Sequence, residues 1–365
     1  MSNPTAPSPV HITNRRLEGL STDLLVQVPC TSSETTRSLI RDLGVGVVYT
    51  IDYPQRRKRI AAAGYAIDHT RREIAAADIL VDAALYSGSQ RITASAPLSA
   101  DWVRFQHQKG NHWALTDSGY CAEGDRDGLR KLLAAAGALG SRVIAALPIA
   151  GAWLAKDATY LRERIDAAGV PVALIVEDAA DPFDQPGMVA GLVEVLRAQT
   201  PVLLLRSDTA ALGALAHGAA GAAMGSSSAY RHLYPNLGGG GTAPTSFIVP
   251  ELLGYISQIA FDNARRQAHE LDAWICECSR CHGADLKWIN GDRDAAFGHS
   301  ICAAAMLGEQ LAPTERDAAA LLWTSMCQTA QAKHHEVLEA TGDWKGLKPS
   351  LQQWVDITPK PQAIS

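Results

Sequence analysis

Eight short apolar runs, each ending in a small or polar residue, recur through the first 230 residues: DLLVQVPCT, VGVVYTIDYP, DILVDAALYSG, HWALTDSGY, SRVIAALPIAG, PVALIVEDAAD, PVLLLRSDT and AAGAAMGSSS. Unbroken apolar runs of this length suit strands buried on both faces. Stretches of good helix formers lie between several of them, such as RDGLRKLLAAAGALG, DATYLRERIDAAGV, PGMVAGLVEVLRAQ and TAALGALAHGA. That alternation implies parallel strands joined by crossover helices. Eight repeats, with no convincing G-x-G-x-x-G or P-loop, favour a closed (β/α)₈ barrel over an open doubly wound sheet. In a barrel the residues that end each strand line the mouth where chemistry is done. Those residues are Asp52, Asp117, Ser118, Pro148, Glu177, Asp178, Asp208 and Ser226 to Ser228.

The 365 residues accommodate such a barrel with an appendage. The expected organisation is a flexible start over residues 1–20, a barrel over 21–246 and a helical, metal-binding unit over 247–365. NLGGGGTAPTS, at the second boundary, reads as a mobile loop or lid. From Phe247 onward PELLGYISQIAFDNARRQAHELDAWI and TERDAAALLWTSMCQTAQAKHHEVLEA read as mainly helical. With 47% hydrophobic and 19% charged residues and no apolar run near membrane-spanning length, the composition is that of a soluble globular protein. The first residues lack a charged start followed by an apolar run, so the expected compartment is the cytoplasm. A net charge of -5 gives no global attraction for nucleic acid, although the run YPQRRKR at Tyr53 to Arg59 offers a local basic patch.

Seven cysteines, an odd number in a reducing compartment, argue against a disulfide framework. Three of them, Cys276, Cys278 and Cys281, form C-x-C-x₂-C. Thiolates at that spacing converge on one ion from a tight turn, and soft sulfur donors in a tetrahedral set select zinc. The fourth ligand is sought among His282, His299, Cys302, His334 and His335. His282 adjoins Cys281 and turns onto the same ion with difficulty. His299, just before the helical run SICAAAMLGEQL, is preferred, with Cys302 as its substitute. A full Cys₃His set leaves no open position for substrate, so its work is folding and docking.

C-x-C-x₂-C with a later histidine, after a (β/α)₈ barrel, resembles the zinc subdomain of the tRNA-guanine transglycosylases and their DNA-modifying relatives. HWALTDSGYC is similar to that family's ILTDSGGFQ, matching at Leu115, Thr116, Asp117, Ser118 and Gly119. PVLLLRSDTAALGALAHGAAGAAMGSSSAYRH follows the family's late-barrel course, with Arg231 near the place of a family arginine. The resemblance spans Leu85 to Leu311. It implies exchange of guanine in tRNA or DNA for a 7-deazaguanine base: one carboxylate attacks the sugar C1′ while a second handles base protons. The target nucleotide is unstacked into a pocket. Asp117 matches the second carboxylate, with Ser118, Gly119 and Tyr120 beside the base. The family also implies a homodimer, or a heterodimer with a paralogue.

The sequence departs from the pattern where the family's nucleophile sits. The family's GvDmFDcvlPTR is replaced by GAAGAAMGSSSAYRH, which has no carboxylate and places Ser226 near the expected aspartate. Asp208 in LLLRSD and Asp178 in LIVED are the alternatives for the missing nucleophile, and only one of Glu177 and Asp178 faces inward. A non-catalytic subunit that keeps fold and zinc is the other expectation. Tyr120, Cys121 and Ala122 replace the family's glycine-phenylalanine-glutamine, so the base pocket differs. GAAMGSSSAYRH also resembles the phosphate cradle that many barrels build near strands seven and eight, which Arg231 suits equally.

Overall fold

The computed structural model describes residues 17–31, 33–235, 244–311 and 316–357. All eight apolar runs form strands: β1 (Leu24–Pro29), β2 (Gly46–Thr50), β3 (Ile79–Asp82), β4 (Ala114–Leu115), β5 (Val143–Ala150), β6 (Val172–Glu177), β7 (Val202–Ser207) and β8 (Gly221–Gly225). They pair in parallel in the order β3-β2-β1-β8-β7-β6-β5-β4, giving a nearly closed (β/α)₈ barrel. At the seam between β3 and β4, residues after β3 supply the missing edge. Tyr120 donates its N–H to Ile92 O (2.8 Å) and accepts from Ala94 N (2.8 Å). This close approach requires Gly119, because a Cβ there would lie 2.0 Å from Thr93 O.

Helices α1 (Glu34–Leu43), α2 (Arg59–Glu73), α3 (Ala100–Gln108), α4 (Arg126–Ala138), α5 (Ala152–Ala168), α6 (Met188–Leu196) and α7 (Ala210–Ala216) follow the first seven strands. Their starts are written locally: Ser33, Ser99 and Asp125 each accept a backbone N–H of the first turn. The barrel interior is filled by alternate strand residues, among them Leu25, Val48, Leu80, Leu115, Ile144, Ile175, Leu203 and Ala223, as the period of two requires. Residues 1–16 of the expected flexible start lie outside the described residues. The rest of it is docked: Leu17 is buried in the barrel-interior cluster and Glu18 O accepts the indole N–H of Trp113 (2.9 Å).

After β8 the chain adds strands to the mainly helical expectation. Residues 236–243 of the glycine-rich segment lie outside the described residues. Then β9 (Ser246–Val249) and β10 (Gly254–Ser257) form an antiparallel hairpin. The run Phe247-Ile248-Val249 favours a strand, Pro250 interrupts the hydrogen bonding, and Leu253 makes the turn at φ 44°. Only then comes α8 (Gln258–Gln267), followed by the two-residue strands β11 (Ile275–Cys276) and β12 (Ala284–Asp285), α9 (Arg293–Leu311), α10 (Arg316–Thr341) and α11 (Pro349–Ile357). Helix α9 packs between α7 and α1 and so takes the eighth place in the helix ring. The cysteine region is therefore an elaboration between the last strand and last helix of the barrel. No described helix is long and apolar enough to cross a membrane.

Candidate metal centre and barrel mouth

The β11–β12 ribbon holds the three cysteines in a turn. Gly283 N donates to Cys276 O (3.0 Å), and Cys281 N and His282 N both donate to Cys278 O (2.9 and 3.0 Å). His282 has a left-handed backbone (φ 48°) and is exposed, so its ring leaves the cluster. His299 lies inside α9 instead of at its start, because the helix begins at Arg293. Its Nδ1 is 3.2 Å from Cys281 Sγ and 3.7 Å from Cys278 Sγ. The opposite nitrogen, Nε2, is 2.7 Å from Ile248 O in β9. That carbonyl takes the ring proton on Nε2 and leaves the Nδ1 lone pair facing the sulfurs, the arrangement that metal-ligating histidines adopt.

One ligand atom from each of Cys276, Cys278, Cys281 and His299 lies within 4.8 Å of the others, and all four residues are buried. The donors thus fit a single ion, and Cys302, buried nearby, is not one of the set. Contacts from Cys276, then from Cys281, hold the Cys278 thiol well below its ordinary range, and the same contact with Cys278 raises the Cys276 thiol. The amide N–H of Cys278 (to Cys276 Sγ, 3.4 Å) and the indole N–H of Trp288 (to Cys281 Sγ, 3.4 Å) donate to the sulfurs. Phe247, Phe261, Trp274 and Trp344 form a chain of edge-to-face contacts away from His299, tying the cluster to the C-terminal segment.

At the barrel mouth Asp117 follows β4 and is 4% exposed. Its carboxylate accepts from Ser99 N (2.9 Å), at the start of α3, and from the Arg59 guanidinium (2.9 Å), at the start of α2. Burial raises its pKa, and the opposing Ser99 N–H and Arg59 charge do not cancel that rise. Ser118 Oγ bonds Thr116 Oγ1 (2.6 Å), which accepts Ala146 N (2.9 Å), so Ser118 braces the strand end. Tyr120 stacks under Arg91, whose guanidinium carbon is 3.9 Å from the ring centre. Burial, then the adjacent Glu177 carboxylate, push the Tyr120 phenol above its ordinary range. Glu177 ends β6, is 9% exposed and accepts from Arg91 (2.5 Å).

The two alternatives for a nucleophile are otherwise engaged. Asp178 accepts Ala180 N (3.0 Å) as a half-buried turn cap. Asp208 accepts Ala210 N (2.9 Å) and the Lys348 ammonium (2.6 Å), which also reaches Asp181 (2.6 Å). Burial alone would raise Asp208, but Lys348 outweighs it and holds this carboxyl below the usual carboxylate range. Ser226 donates its N–H to Gln27 O (2.9 Å), and Arg231 lies beyond it.

A second network at the mouth was not singled out from the sequence. Arg206 is 7% exposed and stands at φ 50°, where β7 slips register against β8. The irregularity turns its side chain inward, as β-bulges do, and Gln27 Oε1 accepts its N–H (2.7 Å). The guanidinium reaches Tyr86 OH (3.0 Å), Ala229 O (3.1 Å) and, at 3.6 Å, Asp82. Asp82 ends β3, is 1% exposed and also accepts from Tyr86 OH (2.6 Å), Ala84 N (2.8 Å) and Gln27 Nε2 (3.2 Å). Two signals could have found it: Asp82 ends LVD as Asp117 follows WAL, and Arg206 is a charge inside an apolar strand run.

No family model matches the chain, and no curated protein matches it. Among solved structures, a mandelate racemase/muconate lactonizing enzyme from Roseiflexus sp. is 15% identical with TM-score 0.33, covering 62% of this chain and 60% of that one. The carboxyl transferase domain of Rhizobium etli pyruvate carboxylase is 11% identical with TM-score 0.36, covering 93% of this chain and 61% of that one. The chain thus spans about three-fifths of each of these structures. Likeness at this level carries no argument about chemistry, and the barrel rests on its own strand pairing.

Proposed function

We propose that this protein is a divergent transglycosylase-type barrel that exchanges guanine in tRNA or DNA for a 7-deazaguanine base. The observation that carries the reading is Asp117, buried on the TDSG turn with its pKa raised. A carboxyl at this turn passes a proton to the departing guanine and recovers one from the incoming base. Glu177 supplies the second carboxylate in place of Asp178 or Asp208, since it faces the Arg91–Tyr120 pair beside the same turn. In the first step a Glu177 oxygen bonds the sugar C1′ as the glycosidic C–N bond breaks. In the second the new base displaces that ester and restores the carboxylate. Ser118 and Gly119 shape the turn, and Tyr120 lies beside it under Arg91.

The Cys₃His cluster is read as a structural zinc site. Bound zinc would supply folding energy by joining the β11–β12 ribbon to α9, with Cys276, Cys278, Cys281 and His299 as ligands. A second reading is favoured by one observation: Asp178 and Asp208 are committed to a turn and to Lys348. On that reading the chain is a non-catalytic subunit that binds nucleic acid beside an active paralogue, as a heterodimer. Trapping separates the two. With tRNA or single-stranded DNA and a 7-deazaguanine base, the enzyme forms a denaturant-resistant adduct that Glu177→Gln abolishes. The subunit binds the polynucleotide and forms no adduct.

A further inference from the structure

We infer a nucleotide-phosphate site in the cavity between the end of β8, the β1–α1 loop and the start of α9, with Arg231 as its anchor. The cavity holds about 460 Å³, within the roughly 300–1,000 Å³ of small-molecule sites. Ser226, Ser227, Ser228 and Arg231 line one side. Val28, Pro29 and Phe297 give an apolar wall on another.

Arg231 is held for a ligand and not for a protein carboxylate. Its guanidinium lies 3.8 Å from the Tyr255 ring centre and donates to Ser246 Oγ (2.9 Å). The mouth arginines Arg59, Arg91 and Arg206 each reach a carboxylate, namely Asp117, Glu177 and Asp82. No described carboxylate lies within salt-bridge distance of Arg231, so half-buried positive charge is left in a cavity that Ser226, Ser227 and Ser228 also line. A fixed planar guanidinium with hydroxyl donors is the set that binds a tetrahedral phosphate.

The turn that presents the serines is built tightly. A Cβ at Gly225 would lie 2.2 Å from Tyr230 O, so only glycine lets residues 226–230 fold back over the strand end. Arg293 and Asp294, in the first turn of α9, also line the cavity. Asp294 is the carboxylate that sets a limit on how a phosphate enters, and it leaves the Arg231 side as the anionic pole of the ligand. The cavity exceeds what phosphate alone fills, and its apolar wall suits the attached nucleoside. Resting on the proposed exchange reaction, the group attached to the phosphate is taken as a nucleoside, either free or within a polynucleotide.

Calorimetric titration of the full chain with guanosine monophosphate, guanosine and a short single-stranded oligonucleotide tests the site. The monophosphate should bind and guanosine should not. Arg231→Gln should weaken the monophosphate about tenfold, the scale of one charge-assisted bond, and Arg231→Lys should recover part of it. An oligonucleotide that binds tighter than the monophosphate identifies a polynucleotide ligand, and equal binding identifies a free nucleotide. Absence of binding by every phosphate-bearing probe, or equal affinity in a folded Arg231→Gln variant, overturns the site. The titration contains no acceptor base, so failed base exchange with intact phosphate binding counts against the exchange reading and not against this one.

Discussion

Replacing Lys348 by methionine isolates the contact that fastens the C-terminal segment to the barrel mouth. The ammonium lies 2.6 Å from both Asp181 and Asp208, on the loop after β6 and the end of β7, and all three side chains are no more than 21% exposed. Methionine keeps the volume of the stem and removes the charge, leaving two carboxylates facing each other without a cation. Breaking a largely buried pair in this way costs about 3–5 kcal/mol, and the residual exposure here favours about 3. The loss depends on pH. Burial, then the Asp208 charge, raise Asp181 from 3.8 to about 7, so its contribution to stability is full below 3.8 and is lost as pH rises through about 7. Asp208 is held low chiefly by Lys348, so its contribution is present at neutral pH and lost only on acidification. Without the lysine that contribution disappears, and the penalty should be largest near pH 8 and smallest near pH 5. Urea unfolding at both pH values, with Lys348→Met/Asp208→Asn as the second arm of a mutant cycle, measures it. A loss near pH 8 below about 0.5 kcal/mol, the range of exposed pairs, would refute the clamp.

Two further outcomes follow from the metal centre and the seam. The isolated protein should contain one zinc per chain, and Cys278→Ser should lose it and lower the melting temperature while barrel ellipticity persists, checked by elemental analysis and circular dichroism. A metal-free wild type with unchanged melting would count against the cluster's role. Gly119→Ala should cost about 1–3 kcal/mol, because the added carbon meets the Thr93 carbonyl at 2.0 Å and the strand edge must shift. A melt that shows no change would mean that the seam is looser than the hydrogen bonds at Tyr120 indicate.

The barrel was legible because each strand is a local apolar run with its own stop, and the eight runs follow one another in the strand order of the barrel. The Cys₃His set was legible because three ligands sit within six residues and His299 is one short connection away. The hairpin at β9 and β10 was not, since FIV followed by a proline and a helical stretch has no period long enough to separate strand from helix. The Lys348 clamp joins positions 140 and 167 residues apart, and Arg206 meets Tyr86 across 120. Such pairings depend on how the β6, β7 and C-terminal segments meet, which no spacing rule contains. For the same reason Asp208, as eligible by position as Asp117, is committed to a cation from the end of the chain.

The most direct test of the proposed activity is incorporation of radiolabelled guanine into polynucleotide, because the reverse exchange needs no knowledge of the incoming deazaguanine. With zinc-loaded protein and either unmodified tRNA or single-stranded DNA, the label should enter one of the two, and Asp117→Asn should abolish incorporation while zinc content stays unchanged. Incorporation by Asp117→Asn at the wild-type rate, or none by the wild type with either polynucleotide, would contradict the account.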